Sequence, residues 1–102
     1  MSETSAKIRE RVEKAREIQN KRFENSSYSS NSEMKNKDIK NFCKLNDNSI
    51  DLLRQAVTHM NLSARSYHRI LKLARTIADL AGVEDIATEH VAEALQYRAK
   101  VE

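Results

Sequence analysis

Three basic residues in the second half of the chain have a spacing that suits the binding of an anionic group. Arg65, Arg69 and Lys72 recur at intervals of four and three residues, which on a helix places their side chains in one narrow arc. Arginine offers a planar fork of donors that fits a phosphate, and it stays charged at physiological pH. These three residues, called the basic face below, indicate either a phosphate-contacting surface or an ordinary solvated face.

The position of Arg65 favours the first interpretation. Ser63 is predicted to cap a helix, so Arg65 falls in the first turn, where the helix dipole mildly disfavours a cation. The free N–H groups of that turn attract anions instead. Asp79 is the only acidic residue between positions 63 and 81 that could compensate the charge. A residue that breaks a local rule marks a place where function is expected.

Other chemistry is poorly supported by the residue types. His59, His68 and His90 have no histidine or cysteine partner at ligand spacing, so no metal site is predicted. Cys43 is unpaired and is expected to be a half-buried structural thiol rather than a reactive one. Gly82 is the only glycine, so the glycine-rich P-loop is impossible, and the chain alone cannot hydrolyse a nucleotide by that route.

The composition is typical of one small helical domain. The 102 residues include no proline and no tryptophan, and 32% are charged. The net charge is only +3, because 15 acidic residues are interleaved with the 18 basic ones. No apolar run approaches the roughly 18 residues that a membrane span requires. A reducing cytoplasmic location fits the single cysteine.

Apolar residues at helical spacing predict an all-α bundle of four or five helices. The predicted helices are 5–24, 35–43, 47–60, 63–81 and 88–100, with a flexible serine- and asparagine-rich loop at 25–33. Thr88 is the predicted N-cap of the last helix, and Arg75 and Asp79 are predicted to pair locally. The apolar stripes predicted on three helices are Ile8, Val12, Ala15, Ile18 and Phe23; Ile50, Leu53, Val57 and Met60; and Tyr67, Ile70, Leu71, Ala74, Ala78 and Ala81. On the last helix, one side is predicted to carry Val91, Ala94, Leu95 and Arg98.

Three stretches carry a family resemblance: SAKIRERVEKAREIQNKR, LSARSYHRILKLARTIADLAG and IATEHVAEALQYR. Together they resemble the C-terminal part of magnesium-chelatase-related AAA+ ATPases, and more narrowly the ComM/YifB-like competence proteins. The resemblance spans nearly the whole chain and is weakest at 25–48. It implies a helical lid that packs beside a P-loop ATPase core and closes over the nucleotide.

The resemblance also implies roles for individual residues. Arg65, in Ser63-Ala64-Arg65, matches the sensor-2 arginine that reaches the γ-phosphate, and Arg69 and Lys72 are weaker candidates for supporting the nucleotide or a neighbouring subunit. ATP and Mg would be bound mainly by the ATPase core, which this sequence lacks. The chain would then be an excised lid or a truncated gene product, not an enzyme alone. Its parent would form a ring of identical subunits and take part in DNA processing.

Two alternatives of other classes stay open. One is a stand-alone nucleic-acid-binding module that uses the basic face on phosphates. The other is a protein-interaction bundle, because the tail after Gly82 also resembles half of a histone fold. On the first helix, Arg9, Arg11 and Arg16 follow a pattern of the family, and they would meet the ATPase core or an adjacent subunit, or simply face solvent.

Overall fold

The computed structural model describes residues 4–101, and the side chains of residues 4–97. Five α-helices follow one another: α1 (Ser5–Arg22), α2 (Asn36–Phe42), α3 (Asp47–Met60), α4 (Ala64–Leu80) and α5 (Thr88–Val101). A short 3₁₀ turn, Asn31–Glu33, precedes α2, and a lone parallel bridge joins Leu45 to Ile86. The predicted all-α bundle is confirmed. Within the described part of the chain, no helix has both the length and the apolar character needed to cross a membrane.

Helix α4 lies at the centre of the bundle and packs against α1, α2, α5 and the 3₁₀ turn. Its buried face combines two large apolar residues and two alanines with the charged pair Arg75 and Asp79, and the alanines let neighbouring helices approach closely. The other helices and the connection after α1 complete the core with apolar side chains of their own. The buried core residues with the least exposure are Met34, Leu53, Ile70, Ala74, Ala78, Ile86, Val91 and Ala94.

Several predicted core positions are wrong because they lie at helix ends. Ile8 is 46% exposed, since residues 5–11 of α1 are all exposed before the helix meets the bundle. Ile50 and Met60, near the two ends of α3, are 40% and 41% exposed. Ala81 is the exposed C-cap of α4. Arg98 falls outside the described side chains.

A buried carboxylate joins α1 and α4. Asp79 is fully buried, and its two oxygens accept hydrogen bonds from both terminal nitrogens of Arg22, each at 2.8 Å. The amide of Asn31 donates to the same carboxylate at 2.8 Å, and Arg75 forms an ion pair with it at 3.2 Å. The predicted pairing of Arg75 with Asp79 is therefore confirmed, as one part of a larger group.

Arg75 also satisfies backbone groups where two elements end. Its terminal nitrogens donate to the carbonyl oxygens of Phe42 and Val83, each at 3.3 Å. Phe42 is the last residue of α2, and Val83 lies in the turn after α4. Carbonyls at such ends have no intrahelical donor, so a buried guanidinium there stabilises both connections.

The connection at 25–33, predicted to be a flexible loop, contacts the bundle at one end. It ends in the 3₁₀ turn, and the side chain of Asn31 is only 1% exposed. Polar composition predicted solvation, but an asparagine can be buried when its amide atoms are all hydrogen-bonded. The connection is therefore fixed to the bundle at its C-terminal end.

Two helix starts show how capping was and was not predictable. The hydroxyl of Ser63 accepts the backbone N–H of Ser66 at 3.1 Å, as predicted for the cap of α4. Thr88 is the first residue of α5 rather than its cap, and its hydroxyl is 3.0 Å from that of Ser49. Instead, Nδ1 of His90 accepts the backbone N–H of Ala87 at 2.8 Å.

Candidate functional site: a basic groove along the fourth helix

The basic face of α4 lines one side of an open groove of about 430 Å³, called the basic groove below. The opposite side comes from the connection after α1 and from the beginning of α2. The groove is lined by Ser32, Met34, Asn36, Ile39, Arg65, His68, Arg69 and Lys72. The structure thus brings all three predicted cations together at one surface, and the sequence did not predict the residues that face them.

Arg65 lies where the sequence placed it, in the first turn of α4 directly after the Ser63 cap. Its side chain is exposed, as is that of Arg69 one turn later. Neither guanidinium makes a hydrogen bond or an ion pair with any residue that the structure describes. Two forked cations beside the N-terminal end of a helix give a strongly anion-attracting surface.

Lys72 is in a different state from the two arginines. It is half-buried, and its Nζ donates to the carbonyl oxygen of Ser32 at 3.1 Å. One of the three ammonium donors is therefore used by the protein itself, which fixes the direction of the side chain. The sequence treated Arg69 and Lys72 alike, whereas the structure separates a free guanidinium from an ammonium tied to the opposite wall.

The charge of the basic groove is not compensated by the acid that the sequence suggested. Asp79 is buried and already accepts donors from Arg22, Asn31 and Arg75. No carboxylate is found among the described residues that line the groove. The positive potential at Arg65 and Arg69 is therefore left for a ligand or for solvent ions.

Cys43 is a structural thiol. It is buried, and burial raises its pKa to about 11, although the nearby Arg75 and Arg22 oppose this shift. The thiol is therefore protonated at neutral pH, which makes it a poor nucleophile and a poor metal ligand. The sequence predicted a structural role with half burial, and the burial is nearly complete.

The histidines are dispersed. His59 is exposed at the end of α3, His68 lines the basic groove and contacts the edge of Tyr67, and His90 accepts the hydrogen bond at the start of α5. Among residues 4–97, no group of three or more histidine, cysteine, aspartate or glutamate side chains could hold a metal ion.

Two residues that shape the site escaped the sequence analysis. Asn31 lies in a polar stretch without periodicity, and the sequence pattern assigns no role to Arg22. The one available signal was Asp79, since an acid beside the apolar face of a helix needs a buried partner. Arg75, one helical turn away, supplies one such partner, and nothing in the sequence pattern indicates Arg22 as the second.

The fold and the groove define a small all-α module that presents an uncompensated cationic surface. The chain belongs to the family described as magnesium chelatase, subunit ChlI C-terminal, which matches residues 2–98. It is 50% identical over 99 residues to the competence protein ComM of Haemophilus influenzae, covering 97% of this chain and 19% of that protein. It is 39% identical over 97 residues to the uncharacterized protein YifB of Escherichia coli, covering 95% of this chain and 18% of that protein.

These similarities confirm the resemblance to ComM/YifB-like proteins. A second YifB, from Salmonella typhimurium, is 35% identical over 97 residues. The chain spans about a fifth of the length of the curated relatives that it matches, 18 to 19% in each case.

Proposed function

We propose that this chain is the C-terminal helical lid of a magnesium-chelatase-related AAA+ ATPase, in which Arg65 is the sensor-2 arginine. The observation that supports this role is the position of Arg65: it is exposed, has no partner among the described residues, and follows a capped helix start. The P-loop core of the parent protein would bind ATP and Mg, and the lid would bring Arg65 to the terminal phosphate.

The physical basis is a preorganised cation next to a helix dipole. The N–H groups of the first turn already attract phosphate, and the guanidinium adds two parallel donors with a full charge. Placing a cation there costs the isolated helix a few tenths of a kcal/mol. An arginine on a transferring phosphoryl group can contribute several kcal/mol to transition-state stabilisation, about 10³- to 10⁵-fold in rate. The unfavourable placement is therefore offset in catalysis.

The other residues of the basic face have subordinate roles in this proposal. Arg69 lies one turn beyond Arg65 and would support the bound nucleotide or contact a neighbouring subunit of a ring. Lys72 would contribute mainly to the groove wall, because its ammonium already contacts Ser32. The chain alone would not be an enzyme. Coupling of the parent to DNA processing in the cytoplasm is supported only by the competence-related name of one relative.

The test is ATP hydrolysis by the full-length protein that carries this chain. Arg65→Ala is expected to lower kcat/KM for ATP at least about tenfold, which corresponds to about 1.4 kcal/mol. Arg65→Lys should recover only part of the loss, since an ammonium cannot form the bidentate contact. Arg69→Ala should have a milder effect.

Arg54→Ala is the matched control, because Arg54 is an exposed arginine on α3 whose guanidinium forms only a local ion pair with Asp51 among the described residues, at 3.8 Å. It should turn over ATP like the wild type. Wild-type turnover by Arg65→Ala, in a protein that folds normally, would contradict the sensor-2 assignment.

A second function is favoured by the same open groove. With Arg65 and Arg69 unpaired among the described residues, the basic face could also contact the phosphates of a nucleic acid directly. In that case the isolated chain would bind DNA without an ATPase core, whereas a lid would not.

A further inference from the structure

Asn31 is buried at the point where the connection after α1 meets α4. We propose that it is a positioning residue for the basic groove: it holds residues 29–34 as the second wall and thereby fixes Lys72. This inference rests on the proposed function, because it concerns how the same groove is shaped for a phosphate ligand.

Every polar atom of the Asn31 side chain is used. Its Oδ1 accepts from Nη1 of Arg22 at 2.8 Å, and its Nδ2 donates to Asp79 at 2.8 Å and to the Thr76 hydroxyl at 3.1 Å. Its backbone N–H donates to Oε1 of Gln19 at 3.0 Å. An aspartate would lack the two donors, and an apolar residue would remove one hydrogen bond from each of Arg22, Thr76 and the buried Asp79.

The neighbouring residues extend this anchor to the groove wall. The carbonyl of Ser32, directly after Asn31, accepts the ammonium of Lys72. The backbone N–H of Met34 donates to the Asn31 carbonyl at 3.1 Å, and the Met34 side chain is buried. The carboxylate of Glu33 accepts the backbone N–H of Ser29 at 2.6 Å. These contacts all involve residues within three positions of Asn31, so the buried amide anchors the segment that forms the wall.

A fixed wall changes what a ligand meets in the groove. With Ser32 in place, the Lys72 side chain is ordered before any phosphate arrives, so less conformational entropy is lost on binding. If Asn31 were removed, the carbonyl of Ser32 would be free to leave, and Lys72 would regain its rotamers. The removal of Asn31 would therefore weaken the binding of the ligand without slowing the chemical step.

The experiment separates this role from a general contribution to stability. In the full-length ATPase, Asn31→Ala is expected to raise KM for ATP about three- to tenfold and to change kcat less than about twofold. Thr76→Val keeps the side-chain size and removes the hydroxyl that accepts a hydrogen bond from the Asn31 amide. It should therefore also raise KM for ATP, but by a smaller factor than Asn31→Ala. Amide hydrogen exchange at residues 31, 33 and 34 should become faster in both variants.

Ser49→Ala is the matched control. Ser49 is fully buried, its hydroxyl is hydrogen-bonded to that of Thr88, and it does not line the basic groove. Its loss should destabilise the fold while KM for ATP stays as in the wild type. An equal rise of KM in Ser49→Ala would overturn the positioning role, because any destabilised lid would then behave alike.

A double-mutant cycle tests the route through Lys72. Lys72→Met should raise KM, and adding Asn31→Ala should raise it little further, because both remove the same contact. Additive effects would overturn the proposed route. If Arg65→Ala impairs turnover while Asn31→Ala leaves KM unchanged, the positioning role fails and the lid function stands. If KM and turnover are unchanged in every variant, including Arg65→Ala, both proposals fail.

Discussion

At the scale of single residues, the Asp79 carboxylate has the largest expected effect on stability. It is fully buried between the guanidinium groups of Arg22 and Arg75. Removing one partner of a buried ion pair leaves an uncompensated buried charge, and here two charges would be left. Asp79→Asn is therefore expected to lower the free energy of unfolding by about 3–5 kcal/mol, measured by urea denaturation.

Asp51→Asn is the control for this prediction. Asp51 pairs with Arg54 at 3.8 Å on the exposed side of α3, where solvent screens the interaction. Its loss should cost no more than about 0.5 kcal/mol. Equal effects of the two substitutions would mean that the guanidinium groups find other acceptors or water when Asp79 is changed.

Residue by residue, the sequence supports local relations better than distant ones. Arg75 and Asp79 are one helical turn apart, so their pairing follows from helix geometry. Arg22 is 57 residues from Asp79 and Asn31 is 48 residues away, and no periodic pattern connects such positions. Among the candidate site residues, the position of Arg65 at a helix start followed from the Ser63 cap, but the wall opposite it did not.

At the scale of elements, the turn between α3 and α4 sets the orientation of α4 relative to α3. Asn61 has φ 52°, in the left-handed region, and the N–H of Leu62 bonds back to the carbonyl of Val57 at 3.2 Å. Alanine is unfavourable in that conformation and glycine is not. Asn61→Ala should lower the free energy of unfolding by about 1 kcal/mol, while Asn61→Gly should lower it little or not at all.

Thermal and urea unfolding of these two variants provide the measurement, with Asn48→Ala as the control. Asn48 is exposed in the first turn of α3, where alanine is compatible with the helical backbone. It should leave stability unchanged or slightly raised. A loss in Asn61→Gly as large as in Asn61→Ala would show that the asparagine side chain, not the backbone angle, is what matters.

Helices in which apolar residues repeat at helical spacing over many residues were the most predictable elements. The five α-helices of the structure begin and end within two residues of the predicted bounds. Ile8 is exposed although it belongs to the stripe predicted on α1, because periodicity cannot tell whether a neighbouring helix is present to cover a residue. The segment 25–33 has no period at all, and the hydrogen bonds that attach Asn31 to α1 and α4 are tertiary contacts that composition does not encode.

At the scale of the whole molecule, the two candidate functions differ in salt dependence. The chain has a net charge of only +3, and the basic face contributes three cations. If those cations bound DNA phosphates, the logarithm of the binding constant would fall with the logarithm of salt with a slope of about −2.7. As a lid, the 102-residue chain should show no such binding to duplex DNA at micromolar concentration, measured by fluorescence anisotropy.

The control is the chain with both Arg65→Ala and Arg69→Ala. A salt-dependent affinity that this double variant abolishes would favour the nucleic-acid-binding function over the lid. A weak affinity that the double variant leaves unchanged would come from diffuse surface charge, and it would not contradict the lid.

The two hydrogen bonds from Arg22 to Asp79 have a mechanical consequence. The last turn of α1 is held against α4 by these bonds, whereas its first turns are exposed. An α-helix of 18 residues is about 27 Å long and stiff. Arg22 also donates to Asn31, which anchors the wall of the basic groove. A force on the exposed end of α1 would therefore displace that wall, because the rigid helix transmits the force to Arg22.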